Sequence, residues 1–517
     1  MKINVGIAGL KTVGWELILE QEGVPFSYVG DKLSDAEFSC LIVPDEYHER
    51  VIPSVQSYLS NGGGLICSAK FYSRLSGEKC KKKYIKYIRG GSTAPFFKSG
   101  LADIETEGLI PSKANRFKTD FGESSVYIGK YGGGHIVVLP FDPATIISGW
   151  KSVRKSFYST EKRLPHETVS LVSKGEIFRL ISGALEYIHL CRNIPYIQKW
   201  FFPKNFPSVF NWRIDTDGAS LKDVEELYEV LKKNNISATW FVDGKSQESH
   251  LSVFRRMEEQ EIGLHGYEHK IYHEYNDTLA DIKRGKELFF VNGMNTESFA
   301  VPYGRWNESI ARAIHESGFV YSSEFSYDYD NVPSYPVCKG ETHTLQIPVH
   351  PICIGSLKRQ GFSEQSMIDY FIKIINKKLH NHEPIFLYHH PRDNNTPVVR
   401  SIFAMIKHLG VPRLQLIDYG RWWKKRNSVK FEADIVDETV SIKADQFHKD
   451  VWLRILFPDG TESLVAMNET IHLRGVLKTE RFLDTEIDDI ERVRRFNPRI
   501  CLNKIEDYIS SLLKSSS

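Results

Sequence analysis

Short apolar runs alternate with amphipathic stretches from the N-terminus to about residue 425. The runs Cys40–Pro44 and Ile136–Pro140 contain only apolar residues, which is typical of buried parallel strands. The stretches Val51–Leu59, Leu221–Asn234 and Asp277–Val291 repeat apolar residues at helical spacing. Because strand and helix patterns alternate, the sequence predicts an α/β fold with parallel sheets.

The last part of the chain has a different pattern. Val429–Asp434 and Val451–Leu456 alternate apolar and polar positions, and Pro458–Gly460 marks a turn. We therefore predict a small antiparallel β module over 426–476 and a helical tail over 477–517. A chain of 517 residues is long enough for several cores. We divide the rest into an α/β domain over 1–200 and a second one over 201–425.

Three predicted strands of the 201–425 domain end in residues that can bind metals or transfer protons. These residues are Asp215 and Asp217 after Phe210–Ile214, His265 after Glu261–Leu264, and His389 and His390 at the end of Pro384–Tyr388. The carboxyl ends of parallel strands meet at one edge of a sheet or barrel, where α/β proteins build their sites. We therefore expect these side chains to lie close together.

The pair His265 and His269 is weak evidence when taken alone. A chain with 18 His in 517 residues has roughly 0.6 such pairs by chance. Its position after a strand strengthens the interpretation. One aspartate and two histidines can hold a divalent cation and leave positions open for water and substrate. A second aspartate can accept a proton from water, and a further histidine can donate one.

Four motifs in this order resemble the polysaccharide deacetylase family, the NodB-homology group. They are Asp215–Gly218, His265–His269, Phe299–Gly304 and Leu387–His390, within about residues 205–425. The resemblance implies a distorted (β/α) barrel and metal-dependent hydrolysis of an N-acyl group. Two departures are visible: Thr216 separates the two aspartates, and Ala300 stands where the family has an arginine.

The resemblance and the strand-end positions together imply a metal site. We expect Asp217, His265 and His269 to bind one divalent ion, most suitably Zn²⁺, with Co²⁺, Ni²⁺ or Fe²⁺ as alternatives. His273 offers a competing pair with His269, but it lies further from the strand end. We expect Asp215 to be the general base, because only one of the two aspartates needs to bind the metal.

The remaining catalytic roles fall to a histidine, a backbone amide and an arginine. We predict that His390 is the general acid, with His389 as the alternative, because neighbouring strand residues face opposite ways. The family places an oxyanion donor at the backbone N–H of Tyr303. Arg213 precedes Asp215 by two positions on one strand, so both should face the same way.

We therefore predict that Arg213 orients Asp215 in place of the arginine missing at position 300. Arg305 is the other candidate. The alternative role for Arg213 is only to neutralise another carboxylate. Substrate contacts are predicted for His350, Asp328, Trp306 and His389. For His350, a buried histidine held by the backbone is an equally open interpretation.

Residues 1–200 resemble the glutamine-amidotransferase-like, flavodoxin-like accessory domains of sugar-active enzymes. The resemblance lies in the arrangement of strands and helices and is weak evidence for a shared function. Cys67 follows a predicted strand but lacks the Gly-x-Cys-x-Gly setting of a nucleophile, so we predict a non-catalytic domain. The glycine triplet 132–134 forms a tight turn or cradles a phosphate.

Composition excludes several classes of protein. With 41% hydrophobic residues, 26% charged residues and a net charge of +2, the chain is typical of a globular protein and gives no sign of nucleic-acid binding. The lysines 79 and 81–83 are predicted to be a solvated loop face. Seven scattered cysteines do not suggest a disulfide framework. The start of the chain shows no apolar leader, and no run approaches the ~20 apolar residues of a membrane helix.

We therefore expect a cytoplasmic protein without a membrane span. The predicted function is the removal of an N-acetyl or other N-acyl group from an amino sugar in cell-surface polysaccharide biosynthesis. The sugar could be nucleotide-linked, lipid-linked or part of an oligosaccharide. One alternative keeps the site but acts on a cyclic amide or ureide, as in allantoinase-like members of the superfamily. Another is a catalytically silent scaffold that binds glycan. The oligomeric state stays open.

Overall fold

The computed structural model describes residues 1–29, 37–90, 96, 100–157, 159 and 164–480. Most of the tail predicted over 477–517 therefore lies outside the described residues. The described chain is a mixed α/β protein with two large sheets and several small ones. None of its described helices has both the length and the apolar character needed to cross a membrane.

The larger sheet has nine strands from the N-terminal part. Five parallel strands lie side by side in the order Phe26–Tyr28, Val5–Ile7, Cys40–Val43, Gly64–Ser68 and Gly134–Leu139. Numbered along the chain, their order is 2-1-3-4-5, which is that of flavodoxin-like sheets. The relation to glutamine amidotransferases stays a prediction.

An antiparallel extension completes this sheet. Its strands are, in spatial order, Ser124–Tyr131, Arg116–Thr119, Cys80–Arg89 and Leu101–Pro111. Lysines 81–83 lie on one of these strands, so placing them on a loop was wrong. Lys81 is 3.0 Å from Glu123, and Lys82 is 2.8 Å from Glu107. These exposed ion pairs account for a strand with several lysines.

The N-terminal helices are Val13–Glu22, Val51–Ser60, Ala69–Ser76, Pro143–Ile147 and Lys174–Cys191. The glycine triplet forms the turn before strand Gly134–Leu139. A Cβ at Gly134 would lie 2.4 Å from the Gly63 carbonyl oxygen, so glycine permits this close backbone approach. Cys67 lies inside a strand with 1% exposure, and burial raises the pKa of its thiol well above the ordinary range.

The second large sheet is a curled, parallel half-barrel of seven strands. Their spatial order is Leu345–Gln346, Tyr321–Ser322, Ser298–Phe299, Glu261–Leu264, Thr239–Val242, Phe210–Asp215 and Ile385–His389. Its helices are Leu221–Asn234, Gly244–Gln247, Leu251–Arg255, Tyr275–Val291, Glu308–Glu316, Ile354–Arg359, Glu364–His380, Thr396–His408 and Leu416–Ser428. Since every neighbouring pair is parallel, all the carboxyl ends lie at one edge.

The C-terminal strands form two small sheets with strands from far away in sequence. One sheet contains Lys2–Ile3, Phe431–Val436, Thr439–Ala444 and Thr470–His472, and the other contains Tyr196–Lys199, Trp452–Leu456 and Glu462–Ala466. The predicted antiparallel pairing is present, but two strands come from residues assigned to the N-terminal domain. Pairing with them covers strand edges that a separate module would expose.

Two further pairs of antiparallel strands form small sheets of their own. Ser152–Ser156 pairs with His166–Ser170, and Val337–Cys338 pairs with Glu341–Thr342. The first hairpin contacts the half-barrel, because the N–H of Ser170 donates to the Phe325 carbonyl over 3.2 Å. The N-terminal part therefore reaches the barrel next to the edge at which the strands end.

Candidate active site

Asp217 is held by a turn at the end of the strand Phe210–Asp215. Asp217 and Gly218 have φ values of 47° and 69°, which reverses the chain after the strand. The Gly218 N–H donates to the Asp243 carboxylate over 3.1 Å, and the Thr216 hydroxyl donates to the same oxygen. Asp243 thus holds the turn, which presents the Asp217 side chain to the neighbouring strand ends.

Three histidines surround the Asp217 carboxylate. Oδ1 lies 3.2 Å from His265 Nε2 and 2.9 Å from His269 Nε2, and Oδ2 lies 3.3 Å from His390 Nε2. Burial alone would raise the pKa of Asp217. The hydrogen bond from His265, the close contact with His269 and the charge of the nearby His390 outweigh burial and hold the pKa of Asp217 well below the ordinary range.

His265 is oriented by a backbone carbonyl. Its Nδ1 lies 2.7 Å from the Ala300 oxygen, and a carbonyl only accepts hydrogen bonds. Nδ1 therefore carries a proton, and Nε2 is the nitrogen that faces Asp217. Metal-binding histidines are commonly oriented in this way. Ala300 lacks the family's arginine side chain, yet its backbone contributes to the site.

Asp217, His265 and His269 fit a divalent metal ion. One ligand atom from each lies within 4.8 Å of the other two. The Nε2 of His269 is buried and makes no hydrogen bond to any described residue, although the Asp217 oxygen is near. A buried imidazole nitrogen without a hydrogen bond is suited to bind a cation together with a carboxylate and a second imidazole. His273 is exposed and lies outside this group.

Arg213 forms a bidentate salt bridge with Asp215. Its Nε lies 2.8 Å from Oδ1 and its Nη2 lies 2.7 Å from Oδ2, and both residues are buried. Nη1 donates to the Ser323 carbonyl over 2.6 Å. Burial lowers the pKa of Arg213, but Asp215 raises it more, so the guanidinium stays charged. Asp215 Oδ2 is 4.0 Å from His265 Nε2, which joins this pair to the metal-ligand group.

His390 is held between two carboxylates. Its Nε2 faces Asp217, and its Nδ1 lies 3.2 Å from Asp393 Oδ2 and 3.7 Å from the Cys353 sulfur. Burial lowers the pKa of His390, but Asp393, Cys353 and Asp217 together raise it well above the ordinary range. An imidazolium that faces the site is a proton donor.

Tyr303 occupies a strained turn beside the histidines. Its φ is 60°, and its ring lies 4.9 Å from that of His269. The neighbouring Gly304 N–H donates to the Val301 carbonyl, whereas the Tyr303 N–H has no partner among the described residues. Left-handed backbone at a non-glycine residue is costly and is concentrated at functional sites. A free N–H at this position suits an oxyanion donor.

Two of the four predicted substrate contacts are buried histidines away from this group. His350 bonds to Asp330 and to the Tyr370 hydroxyl at 3.0 Å each, so it is the buried, satisfied histidine of the alternative interpretation. His389 is 1% exposed and packs against Trp212 at 5.5 Å, where burial lowers its pKa to about 3. The structure does not bring either residue to the cluster.

The other two predicted contacts, Asp328 and Trp306, are also buried. Asp328 is fully buried and accepts hydrogen bonds from Tyr329 and Asn331 at 2.9 Å each, so it is not presented to a substrate. Trp306 lies three residues beyond Tyr303 and stacks near Tyr327 at 4.6 Å. Trp306 therefore lies on the segment that follows the Tyr303 turn.

Three residues of the site were missed by the sequence interpretation. Asp393 backs His390, and Arg392 lies 3.8 Å from the Asp217 carboxylate. Both directly follow the histidine motif and could have been suspected from that position. Glu324 is fully buried near Arg213, and burial raises its pKa to about 7. No local pattern around Glu324 points to the site, because it arrives from another strand end.

Comparison with known proteins finds a family model that matches part of the chain. Residues 216–322 match the family model described as polysaccharide deacetylase, a stretch that includes Asp217, His265 and His269. No curated protein sequence matches the chain.

Solved structures with a similar fold are distant in sequence. A polysaccharide deacetylase described as putative, from Mycobacterium smegmatis, shares 18% identity over 44% of this chain and 93% of its own, with a TM-score of 0.38. An allantoinase shares 16% sequence identity, and the match covers 43% of this chain and 92% of the allantoinase, with a TM-score of 0.37. A family 4 carbohydrate esterase from Streptomyces lividans shares 13% sequence identity, and the match covers 40% of this chain and 92% of the esterase, with a TM-score of 0.29.

Proposed function

We propose that this protein is a metal-dependent hydrolase that removes an N-acetyl or other N-acyl group from an amino sugar. The observation that carries the proposal is the convergence of Asp217, His265 and His269 beside an Arg213–Asp215 pair and His390. The family match over residues 216–322 supports the reaction class. We propose Zn²⁺ as the ion, because one carboxylate and two imidazoles suit it.

In this proposal, each side chain of the site has one task. Asp217, His265 and His269 would hold the divalent cation, which would supply Lewis acidity to the site. Asp215 accepts the proton of the attacking water, and Arg213 holds its two oxygens in position. The Tyr303 N–H donates to the oxyanion. His390, backed by Asp393, donates a proton to the departing amine.

Metal analysis and an acetate-release assay on free and nucleotide-linked N-acetyl amino sugars test the proposal together. We expect one metal per chain, with acetate release lost on chelation and restored by Zn²⁺. His265→Ala should lose both metal and activity. The matched control His273→Ala, eight residues further and exposed, should keep both.

Other outcomes would select the alternatives. Hydrolysis of allantoin without acetate release from any sugar would favour a cyclic amide or ureide substrate. Glycan binding by a metal-free protein without hydrolysis would favour a silent scaffold. The place in cell-surface polysaccharide synthesis, the cytoplasmic location and the non-catalytic N-terminal domain stay predictions. Ammonia release from glutamine that depends on Cys67 would contradict the last of these.

A further inference from the structure

A row of aromatic rings leads from the interior to the surface beside the candidate site. The Lys174 nitrogen lies 3.2 Å from the centre of the Tyr327 ring, and Tyr327 lies 4.6 Å from Trp306. Trp306 in turn lies 6.3 Å from Trp150. The inner rings are 3% and 6% exposed, whereas Trp150 is 41% exposed. The row therefore ends in one large aromatic face that is open to solvent.

This aromatic row is separate from the barrel core. Trp306 and Tyr327 form their own small cluster with Ala311 and Cys338. The burial of Trp306 and Tyr327 is explained by that cluster, but the exposure of Trp150 is not. A large aromatic side chain left half open at the end of a packed row presents a flat apolar surface.

Trp150 comes from the N-terminal part of the chain and is fixed against the barrel. It lies between the helix Pro143–Ile147 and the strand Ser152–Ser156. The carbonyl of the next residue, Lys151, accepts a hydrogen bond from Leu171 over 2.7 Å, and Ser170 bonds to Phe325 of the barrel. The position of this ring relative to the barrel is therefore set by the hairpin.

The row approaches the candidate active site through the chain segment that follows Tyr303. Trp306 follows Tyr303 by three residues, so their Cα atoms are at most about 11 Å apart. The Tyr303 ring is 4.9 Å from that of His269, and the Ser326 N–H holds the Gly304 carbonyl over 3.0 Å. Through its contact with Trp306, the exposed Trp150 is thus linked to the segment that borders the histidines.

We propose that Trp150 is a sugar-stacking subsite for a neighbouring unit of an oligosaccharide substrate. The apolar face of a pyranose ring packs on an aromatic ring, while its hydroxyl groups stay in water. This inference rests on the proposed function and narrows it to an extended glycan. Part of the specificity then comes from residues outside the deacetylase domain.

The test compares a single N-acetylglucosamine with its β-1,4-linked pentamer as probes. We expect Trp150→Ala to raise KM for the pentamer by about 5- to 10-fold with kcat unchanged. Hydrolysis of the monomer should not change. Trp150→Phe should restore most of the affinity. The control Phe447→Ala, which removes a ring of 40% exposure in the C-terminal β region, should have no effect.

Direct binding separates this inference from the proposed function. Pentamer affinity is measured by calorimetry on metal-free wild type and metal-free Trp150→Ala. A loss of affinity in the variant would support the subsite even if no acetate is ever released. Equal pentamer affinity in both proteins would overturn it, as would an equal effect on monomer and pentamer. A change in oligomeric state without a change in sugar affinity would assign the face to another copy of the chain and also overturn it.

Discussion

At the scale of single residues, Asp215 and Asp217 are two positions apart but have different surroundings. Asp217 faces three histidines, whereas Asp215 is bound by the Arg213 guanidinium. We expect Asp217→Ala to lose metal and activity together. Asp215→Asn should keep the metal and lose most turnover, because it removes a proton acceptor. Metal content and kcat measured on both variants check this, and the reverse pattern would exchange the two roles.

The bidentate salt bridge between Arg213 and Asp215 gives a second prediction. Arg213→Lys keeps a positive charge beside Asp215 but cannot hold both oxygens. We expect it to retain metal and lower kcat by roughly 10-fold, while Arg213→Met lowers kcat by roughly 10- to 100-fold, or about 1.4–2.7 kcal/mol. Folded, metal-loaded variants with unchanged kcat would remove Arg213 from the mechanism. The same substitutions at Arg305 serve as the comparison.

Glu324 predicts a pH dependence of stability. Burial raises its pKa from 4.5 to about 7, so the folded state keeps this proton longer than the unfolded state. Its contribution to stability is complete below pH 4.5 and is lost as the pH rises through about 7. We expect Glu324→Gln to reduce that loss by up to about 3 kcal/mol. Denaturation of wild type and Glu324→Gln at pH 4.5 and 8 measures how much unfolding free energy each protein loses. The control Glu297→Gln, at an exposed side chain, should match wild type.

At the scale of elements, the turn Pro302–Gly304 positions a backbone amide rather than a side chain. Gly304 has a φ of 59°, and an added Cβ would lie 2.3 Å from the Phe325 ring. Gly318 also has a positive φ, of 72°, but has nothing within 4 Å.

We expect Gly304→Ala to displace the turn and lower kcat, whereas Gly318→Ala should lose only about 1 kcal/mol of stability and keep kcat. Thermal unfolding and kcat measured on both variants separate strain from function. Equal kcat in the two proteins would mean that the Tyr303 N–H does not take part in the reaction.

At the scale of the whole molecule, Arg426 ties the N-terminal part to the barrel. It is fully buried on the helix Leu416–Ser428 and donates to the carbonyls of Trp200, Lys199, Gln21, Glu22 and Glu20 at 2.8–3.2 Å. Residues assigned to different predicted domains therefore accept hydrogen bonds from the same buried guanidinium group.

Replacing Arg426 should destabilise both parts at once. Arg426→Met leaves buried carbonyls without donors, so we expect a loss of at least about 3 kcal/mol of unfolding free energy. The control Arg421→Met, on the same helix, removes an exposed pair with Glu297 and should cost less than about 1 kcal/mol. Calorimetry measures both, and a separate transition that leaves the barrel unaffected would show that the two parts are independent.

The sequence by itself determined the parts of this protein that have local patterns. Apolar runs and helical spacing predicted the strands Glu261–Leu264 and Cys40–Val43 and the helix Leu221–Asn234, because burial imposes those periods on neighbouring residues. The meeting of Asp217, His265 and His390 also followed from the sequence. Parallel strands bring their carboxyl ends to one edge, wherever the strands lie along the chain.

Only the tertiary structure decided contacts between distant segments. Lys2–Ile3 pairs with Phe431–Val436, and Trp150 lies beside Trp306, although no local pattern links either pair. The tertiary structure also decided the direction of side chains. His350 was predicted from the sequence to contact substrate, yet its partners are Asp330 and Tyr370. Such contacts depend on how whole elements pack, because a side chain's partners are chosen by the folded surface around it and not by its neighbours in sequence.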